Sequence, residues 1–163
     1  MKNNKGWTLV ELLIVVTMFG ILTLSVSSMF THIWQFYRLT WAQKELQEEA
    51  RVIMELITRN LRNGISQSIS ISRYDNTQPY YSKVSFNTID GHQVNYYQID
   101  RVLYQEIDGN KKILSKNLTY FAITFPKSYE QDIVSVALTL EKNIYELKKK
   151  ALHMASEKVM VMN

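Results

Sequence analysis

The sequence predicts an α+β protein in which a long N-terminal helix packs against a small antiparallel β-sheet. The first half of this helix is expected to span a membrane, and the second half is expected to be amphipathic. Three observations predict this fold class. Residues 12–37 contain no Lys, Arg, Asp or Glu, and residues 21–63 contain no Pro or Gly. Two Asp-Gly pairs further along the chain are each flanked by residues typical of strands.

The apolar run at residues 7–30 predicts a transmembrane segment. It is 24 residues long and contains one charged residue, Glu11, whereas a helix needs roughly 20 mostly apolar residues to cross a bilayer. Lys2 and Lys5 precede the run in a short leader at residues 1–6. Because positive charge is retained on the cytoplasmic side, we expect a cytoplasmic N-terminus, a single pass through the inner membrane and an extracytoplasmic C-terminal part.

The helix is expected to continue through residues 31–63, since no helix-breaking residue interrupts it. The Asn63-Gly64 pair is a typical C-terminal stop, and Arg59 and Arg62 complement the negative end of the helix dipole. Apolar residues recur every three or four positions and predict one buried face. These residues are Leu46, Ala50, Ile53, Ile57 and Leu61.

Residues 64–163 are expected to form an extracytoplasmic, β-rich globular domain. Asp90-Gly91 and Asp108-Gly109-Asn110 predict the turns of two hairpins. The strands are expected to form one meandering antiparallel sheet with one face against the helix. Residues 143–163 are ambiguous, because Leu147, Ala151 and Met154 have a helical spacing. The predicted strands are 83–87, 93–99, 101–107, 112–114, 118–125 and 133–140.

The composition favours a structural or binding protein over an enzyme. About 130 of the 163 residues lie beyond the anchor, which is near the usual size of one domain. The chain has no cysteine, which excludes disulfides and cysteine-based metal sites. Its three histidines lack a second ligand at metal-binding spacing, and no nucleotide-binding or nucleophile motif occurs. We therefore expect no catalytic residue, metal or cofactor.

The residues around Glu11 form a motif. Gly6 follows the basic leader, Trp7 comes next, and Thr8-Leu9-Val10-Glu11 lead into the apolar run. This pattern resembles the N-terminus of the type IV pilin family, which includes the pseudopilins of secretion and DNA-uptake systems. The resemblance implies that a prepilin peptidase cleaves between Gly6 and Trp7 and that the new N-terminus is methylated. The family usually has Phe where this chain has Trp7.

Two other interpretations of the N-terminus were open on sequence grounds. A secretory signal peptide has an apolar core of about 7–15 residues and a cleavage site between small residues, which Ser25-Val26-Ser27 resembles. The run here is longer than such a core and contains an acid. A plain single-pass anchor accounts for the length but leaves Glu11 without a role.

The role of Glu11 follows from charge. Cleavage after Gly6 would place the α-amine of Trp7 four residues before Glu11. In a staggered bundle of helices, the amine of one subunit can pair with the carboxylate of a neighbour, and a charge left alone in low dielectric is penalised. Glu11 is therefore expected to set the register of assembly, and the family resemblance implies a similar role. The alternative is that Glu11 lies at the headgroup level.

Within the family, the C-terminal part resembles minor pilins of the J or W type. The residues that carry this resemblance are Tyr96-Tyr97-Gln98-Ile99, Arg101-Val102-Leu103-Tyr104, Asp108-Gly109 and Asn163. It implies a closing strand at about residues 151–161 and a role in the initiation or tip complex of a fibre. The implied partners are other pilins or pseudopilins, the prepilin peptidase and an inner-membrane assembly platform.

Three function classes follow from these observations. The first is a structural minor pilin or pseudopilin of a type IV pilus, a type II secretion system or a DNA-uptake pseudopilus. The second is a binding module at a pilus tip that recognises DNA or a surface through the sheet or through Lys148, Lys149 and Lys150. The third is an unrelated signal-anchored extracytoplasmic protein.

Overall fold

The structure, a computed structural model, describes residues 8–126, 132–145 and 149–161. The chain divides into two compact units, with the boundary between Thr40 and Trp41, and each unit is described by itself. Several residues on which predictions fall lie outside the described ranges: Lys2, Lys5, Gly6, Trp7, Leu147, Lys148 and Asn163.

Helix α1, Leu9–Arg62, includes residues 9–30 of the predicted membrane segment. In the first unit almost every side chain of this helix is exposed, and its most apolar window of 18 residues has a mean hydropathy of 2.4. Among the described residues, α1 is the one helix that is long and apolar enough to cross a membrane. The division into a transmembrane part, 7–30, and an amphipathic part, 31–63, stays a prediction.

In the second unit, α1 buries one face and exposes the other. The buried positions follow the predicted spacing and include all five apolar residues assigned to this face from the sequence. The opposite face carries charged side chains such as Lys44 and Glu48, whose Nζ and Oε1 atoms are 3.8 Å apart. The buried residues are Ala42, Leu46, Ala50, Ile53, Met54, Ile57, Thr58 and Leu61.

The helix ends at Arg62, as the Asn63-Gly64 pair predicts, but Gly64 does not adopt the left-handed conformation of a glycine stop. Its N–H donates to the carbonyl of Leu61 at 3.0 Å, and it forms a β-bridge with Thr88. A Cβ atom on Gly64 would lie 3.0 Å from Cδ2 of Phe86. The glycine is therefore needed because the chain leaves the helix against an aromatic ring.

Five strands form the first antiparallel sheet, and their spatial order follows the chain order. A 3₁₀ turn at Ser66–Ser68 and the short first strand were not predicted, because both are brief and polar. The strands are β1 Ser70–Ser72, β2 Lys83–Asn87, β3 Gln93–Ile99, β4 Val102–Ile107 and β5 Asn110–Ser115.

Both predicted hairpins are present in this sheet. The bounds of β2 and β3 agree with the prediction, and Gly91 between them has a φ of 86°. Asp108 and Gly109 have φ of 49° and 83°. A type I′ turn needs positive φ at both central residues, so these two residues form a two-residue turn between β4 and β5. The predicted three-residue turn was wrong, since Asn110 already pairs with Ile107.

A further turn joins β3 to β4 and was not predicted. Ile99 pairs with Val102, which leaves Asp100 and Arg101 as the two turn residues. Asp100 has a φ of 52°, a conformation that Asp tolerates better than most residues. Arg101 was predicted to begin a strand because no glycine marks this turn.

A separate antiparallel sheet of three strands follows, in the order β6-β7-β8. The predicted single sheet was wrong, because β6 pairs with β7 alone and forms no ladder with any strand of the first sheet within the described residues. β6 reaches the first sheet through isolated bonds, such as Leu118 N–H to Arg101 O at 3.0 Å. Residues 149–160 form the closing strand rather than a helix. The strands are β6 Leu118–Thr124, β7 Ile133–Tyr145 and β8 Lys149–Met160.

The core of the second unit is formed by α1 and both sheets, which confirms the α+β fold class. Phe86, Tyr96 and Phe121 are the largest fully buried side chains. The Tyr96 hydroxyl accepts hydrogen bonds from Nδ2 of Asn60 at 2.7 Å and from Nε2 of Gln105 at 2.9 Å. Burial raises the pKa of Tyr96 to about 12. The helix and the first sheet therefore share a polar contact inside an apolar core.

Glu141 of β7 is the centre of a charged cluster. Its Oε1 atom lies 3.0 Å from Nζ of Lys150 and 3.2 Å from Nη1 of Arg101, and its side chain is 10% exposed. Its carbonyl oxygen accepts a further hydrogen bond from Nη2 of Arg101 at 3.0 Å. The hydrogen bond from Lys150, together with the charges of Lys150 and Arg101, holds the pKa of Glu141 below its ordinary value, against the opposing effect of burial.

We expect the free energy of unfolding to fall in acid as Glu141 is protonated. Its pKa is lower in the folded state than the ordinary value of 4.5, so the stabilisation is complete above that value and is lost as the pH falls through the folded-state pKa. Urea unfolding of the full chain in detergent, at several pH values between neutral and acid, measures this slope. Glu141→Gln should flatten it, and an unchanged slope in that variant would contradict the assignment.

Candidate assembly site at the start of the helix

Thr8 and Glu11 form a reciprocal hydrogen-bonded pair at the start of α1. The backbone N–H of Thr8 donates to Oε2 of Glu11 at 2.9 Å, and the Thr8 hydroxyl donates to the same oxygen at 3.1 Å. In return, the Glu11 N–H donates to Oγ1 of Thr8 at 3.3 Å. This arrangement is a capping box, in which Thr8 is the N-cap residue and Glu11 is the third residue of the helix. Donors that the helix cannot pair itself are thereby satisfied.

The structure therefore gives Glu11 a local partner that the sequence analysis missed. The partners predicted for Glu11 were an amine from a neighbouring subunit and the lipid headgroups. The signal was present, since Thr-x-x-Glu before an apolar run is the usual signature of a capping box. The Glu11 side chain is exposed, and among the described residues only Thr8 forms hydrogen bonds with it. Both predicted alternatives for its wider role remain predictions.

Three hydroxyl groups within the apolar run are satisfied by the helix itself. Thr17 donates to the carbonyl of Ile14 at 2.8 Å, Thr23 to that of Phe19 at 2.8 Å, and Ser25 to that of Ile21 at 3.0 Å. Such back-bonding leaves these groups with no need for water. Because lipid offers no hydrogen-bonding partner, this pattern makes the helix compatible with a bilayer or with a bundle of neighbouring helices.

The predicted processing residues, Gly6 and Trp7, and the leader lysines, Lys2 and Lys5, lie outside the described residues. The structure therefore places one predicted site residue, Glu11, and adds Thr8 beside it. The roles assigned to the four other residues stay predictions.

Residues 1–27 match the family model described as the prokaryotic N-terminal methylation motif. The chain therefore carries a type IV pilin-like prepilin signal, and the motif supports a pilin-like or pseudopilin subunit. Such a motif indicates a structural subunit rather than an enzyme. It implies processing by a prepilin peptidase and assembly into pilus-like fibres with other pilins. Together with the single apolar helix, it suits a single pass through the inner membrane. Comparison with curated proteins gives no match, and comparison with solved structures gives none either.

Acidic and histidine side chains are the groups of this chain that could bind a metal ion. Within the described residues, no three or more such groups come together. His92 Nδ1 lies 2.6 Å from Oδ2 of Asp108, whose Oδ1 accepts the N–H of Gln93 at 2.9 Å. These hydrogen bonds, first that from Gln93 and then that from His92, lower the pKa of Asp108. Asp108 thus joins the turn between β4 and β5 to the end of the turn between β2 and β3, and these contacts explain its place in a turn.

The lysine cluster proposed as a nucleic-acid contact has a structural role as well. Lys149 and Lys150 are exposed at the start of β8, and Lys148 lies outside the described residues. Lys150 pairs with Glu141 at 3.0 Å. Reversing the charge of this cluster would therefore break a partly buried ion pair in addition to changing the surface potential.

Proposed function

We propose that the chain is a minor pilin or minor pseudopilin that acts in the initiation or tip complex of a type IV pilus-like fibre. The observation that supports this proposal most is the exposed apolar helix whose first turn holds Glu11, hydrogen-bonded to Thr8. Side chains exposed over this length need lipid or neighbouring helices to cover them. Glu11 is the one charged residue between positions 9 and 37, so it is the group that can select one alignment of neighbouring helices.

In this proposal, the prepilin peptidase cleaves between Gly6 and Trp7 at the cytoplasmic face, where Lys2 and Lys5 hold the leader. Residues 64–163 lie on the extracytoplasmic side. The amine of Trp7 in one subunit pairs with Glu11 of the next, and the inner-membrane assembly platform adds subunits to the fibre. The resemblance of residues 96–104 to minor pilins of the J or W type supports the minor role.

Intact-mass measurement of the purified chain tests the processing step. The mature chain is expected to begin at Trp7 and to carry one added methyl group. Gly6→Asp should retain residues 1–6, because the peptidase must fit the residue before the cleaved bond into its site. Asn4→Asp is the matched control, since it introduces the same charge two residues earlier and should still be processed. Equal masses for the parent and Gly6→Asp would rule out the proposal.

A further inference from the structure

Strand β8 has one open edge. It is the outermost strand of its sheet, and no described residue pairs with its second edge. The N–H of Val161 donates to the carbonyl of Asp132 at 2.7 Å, and the register between β7 and β8 is regular from this point to Asn143. Because backbone groups point alternately to the two edges of a strand, five residues from Leu152 to Met160 direct N–H and C=O away from β7. These are Leu152, Met154, Ser156, Lys158 and Met160.

A cleft of about 670 Å³ lies between α1 and the inner face of this strand. His153, Ala155 and Glu157 line it from β8, and Oε2 of Glu157 accepts a hydrogen bond from Oγ1 of Thr58 at 3.2 Å. Ser156 also lines the cleft, although its side chain alternates to the other face of the strand. The cleft therefore borders β8 at Ser156, one of the residues whose backbone groups point to the open edge.

The wall of the cleft formed by α1 carries three arginines. Arg51, Arg59 and Arg62 line it together with Glu55 and Glu157, and none of the three forms an ion pair with a described residue. Arg59 and Arg62 also complement the end of the helix, but Arg51 lies about three turns earlier. Guanidinium groups bind carboxylates in a two-pronged geometry. With three arginines against two glutamates, the cleft carries an excess of one positive charge, and no arginine in it is held in an ion pair with a described residue that would keep it from an acidic ligand.

The outer face of β8 has a different character. Leu152, Met154 and Met160 are 54%, 76% and 68% exposed, and they lie on one face because side chains alternate along a strand. Exposed apolar side chains beside an open strand edge are typical of a surface that another chain covers.

We propose that the open edge of β8 binds an extended segment of a partner protein, which adds a fourth strand to this sheet. The segment fits if its acidic side chains face the arginines of the cleft and its apolar side chains cover Leu152 and Met154. Backbone hydrogen bonds would supply affinity, and the alternating side chains would supply specificity. This proposal does not depend on the chain being a minor pilin.

A second copy of β8 fits this edge poorly. The strand carries Lys149, Lys150 and Lys158 against one acidic residue, Glu157. Two such strands side by side would bring like charges together, and charged residues on an edge strand disfavour pairing between copies. The charge of the strand and of the cleft therefore favours an acidic partner over self-association.

Binding of designed peptides to the full chain in detergent tests the proposal. The probes are two labelled peptides of about ten residues, one alternating Glu with Val and the other alternating Lys with Val. We expect the Glu peptide to bind at least about tenfold more tightly than the Lys peptide in fluorescence polarisation. Arg51→Glu should weaken binding of the Glu peptide by about tenfold. Equal binding of both peptides, or no binding of the Glu peptide, would overturn the proposal.

Two substitutions at one position separate strand addition from surface attraction. Met154→Pro removes an N–H that points to the open edge without removing a bond to β7, and it should weaken binding of the Glu peptide by about tenfold. Met154→Val keeps the N–H and should bind like the parent. Should the proline variant not fold, hydrogen exchange of the parent decides instead: the amides of Leu152, Met154 and Ser156 must gain protection when the Glu peptide is added. Unchanged exchange of these three amides would contradict strand addition.

Discussion

Replacing Glu11 by Val is expected to reduce the amount of this chain in sheared fibres by about tenfold or more, while its amount in the membrane stays near that of the parent. The apolar helix remains intact and can still anchor the chain. A neighbouring subunit's amine, however, would have no carboxylate to pair with, and an unpaired charge in a low-dielectric bundle is strongly disfavoured. Quantitative immunoblotting of the fibre and membrane fractions measures the effect.

Two milder substitutions distinguish pairing between subunits from capping within one helix. Glu11→Gln keeps a side chain suited to the capping box but removes the charge. Thr8→Val keeps the charge but removes the hydroxyl that joins Thr8 to Glu11 at 3.1 Å. We expect Glu11→Gln to lose assembly almost as fully as Glu11→Val, and Thr8→Val to retain most of it. The reverse order of effects would show that Glu11 acts mainly through the cap.

Tyr96→Phe is expected to lower the free energy of unfolding by about 1–3 kcal/mol, because donors of Asn60 and Gln105 would lose their acceptor inside the core. Tyr96→Ala should cost about 3–5 kcal/mol, since it also leaves a cavity. Urea unfolding of the full chain in detergent, followed by near-ultraviolet circular dichroism, measures both.

Tyr120→Phe is the matched control for this loss. Tyr120 is 37% exposed, and its ring lies 4.6 Å from that of Tyr80, a contact that phenylalanine preserves. We expect a change within about 0.5 kcal/mol. If Tyr120→Phe lowered the free energy of unfolding as much as Tyr96→Phe, the loss at Tyr96 could not be assigned to its buried hydrogen bonds.

The elements predicted well from the sequence are those whose cause is local. The buried face of α1 follows from a repeat of three and four residues, and Gly91 marks its hairpin because it supplies a positive φ. The turn at Asp100 was missed because an Asp-Arg pair carries little turn signal. Residues 149–160 fit two periodicities, and pairing with β7 decided between them. The division into two sheets likewise depends on which distant strands pair, and a local pattern does not contain that information.

The candidate site shows the same division between local and distant causes. Glu11 is conspicuous in the sequence because a single acid interrupts an apolar run. Its bond to Thr8 was also predictable, as both residues lie in one helical turn. The cleft beside β8 was not predictable, because Arg51 and Glu157 are far apart in the chain and line one cleft only once α1 and the last strand have packed in the same unit.

The capping box has a consequence for the subunit before it joins a fibre. Both bonds that Thr8 donates to the Glu11 side chain reach Oε2, and Oε1 accepts none from a described residue. A single carboxylate can thus serve its own helix through one oxygen and a neighbour through the other. In a subunit outside the fibre, the backbone N–H and the hydroxyl of Thr8 still donate hydrogen bonds to the Glu11 carboxylate. In the proposed fibre, Oε1 is the oxygen that would exchange its partner when a subunit joins or leaves, while Oε2 keeps its two bonds to Thr8.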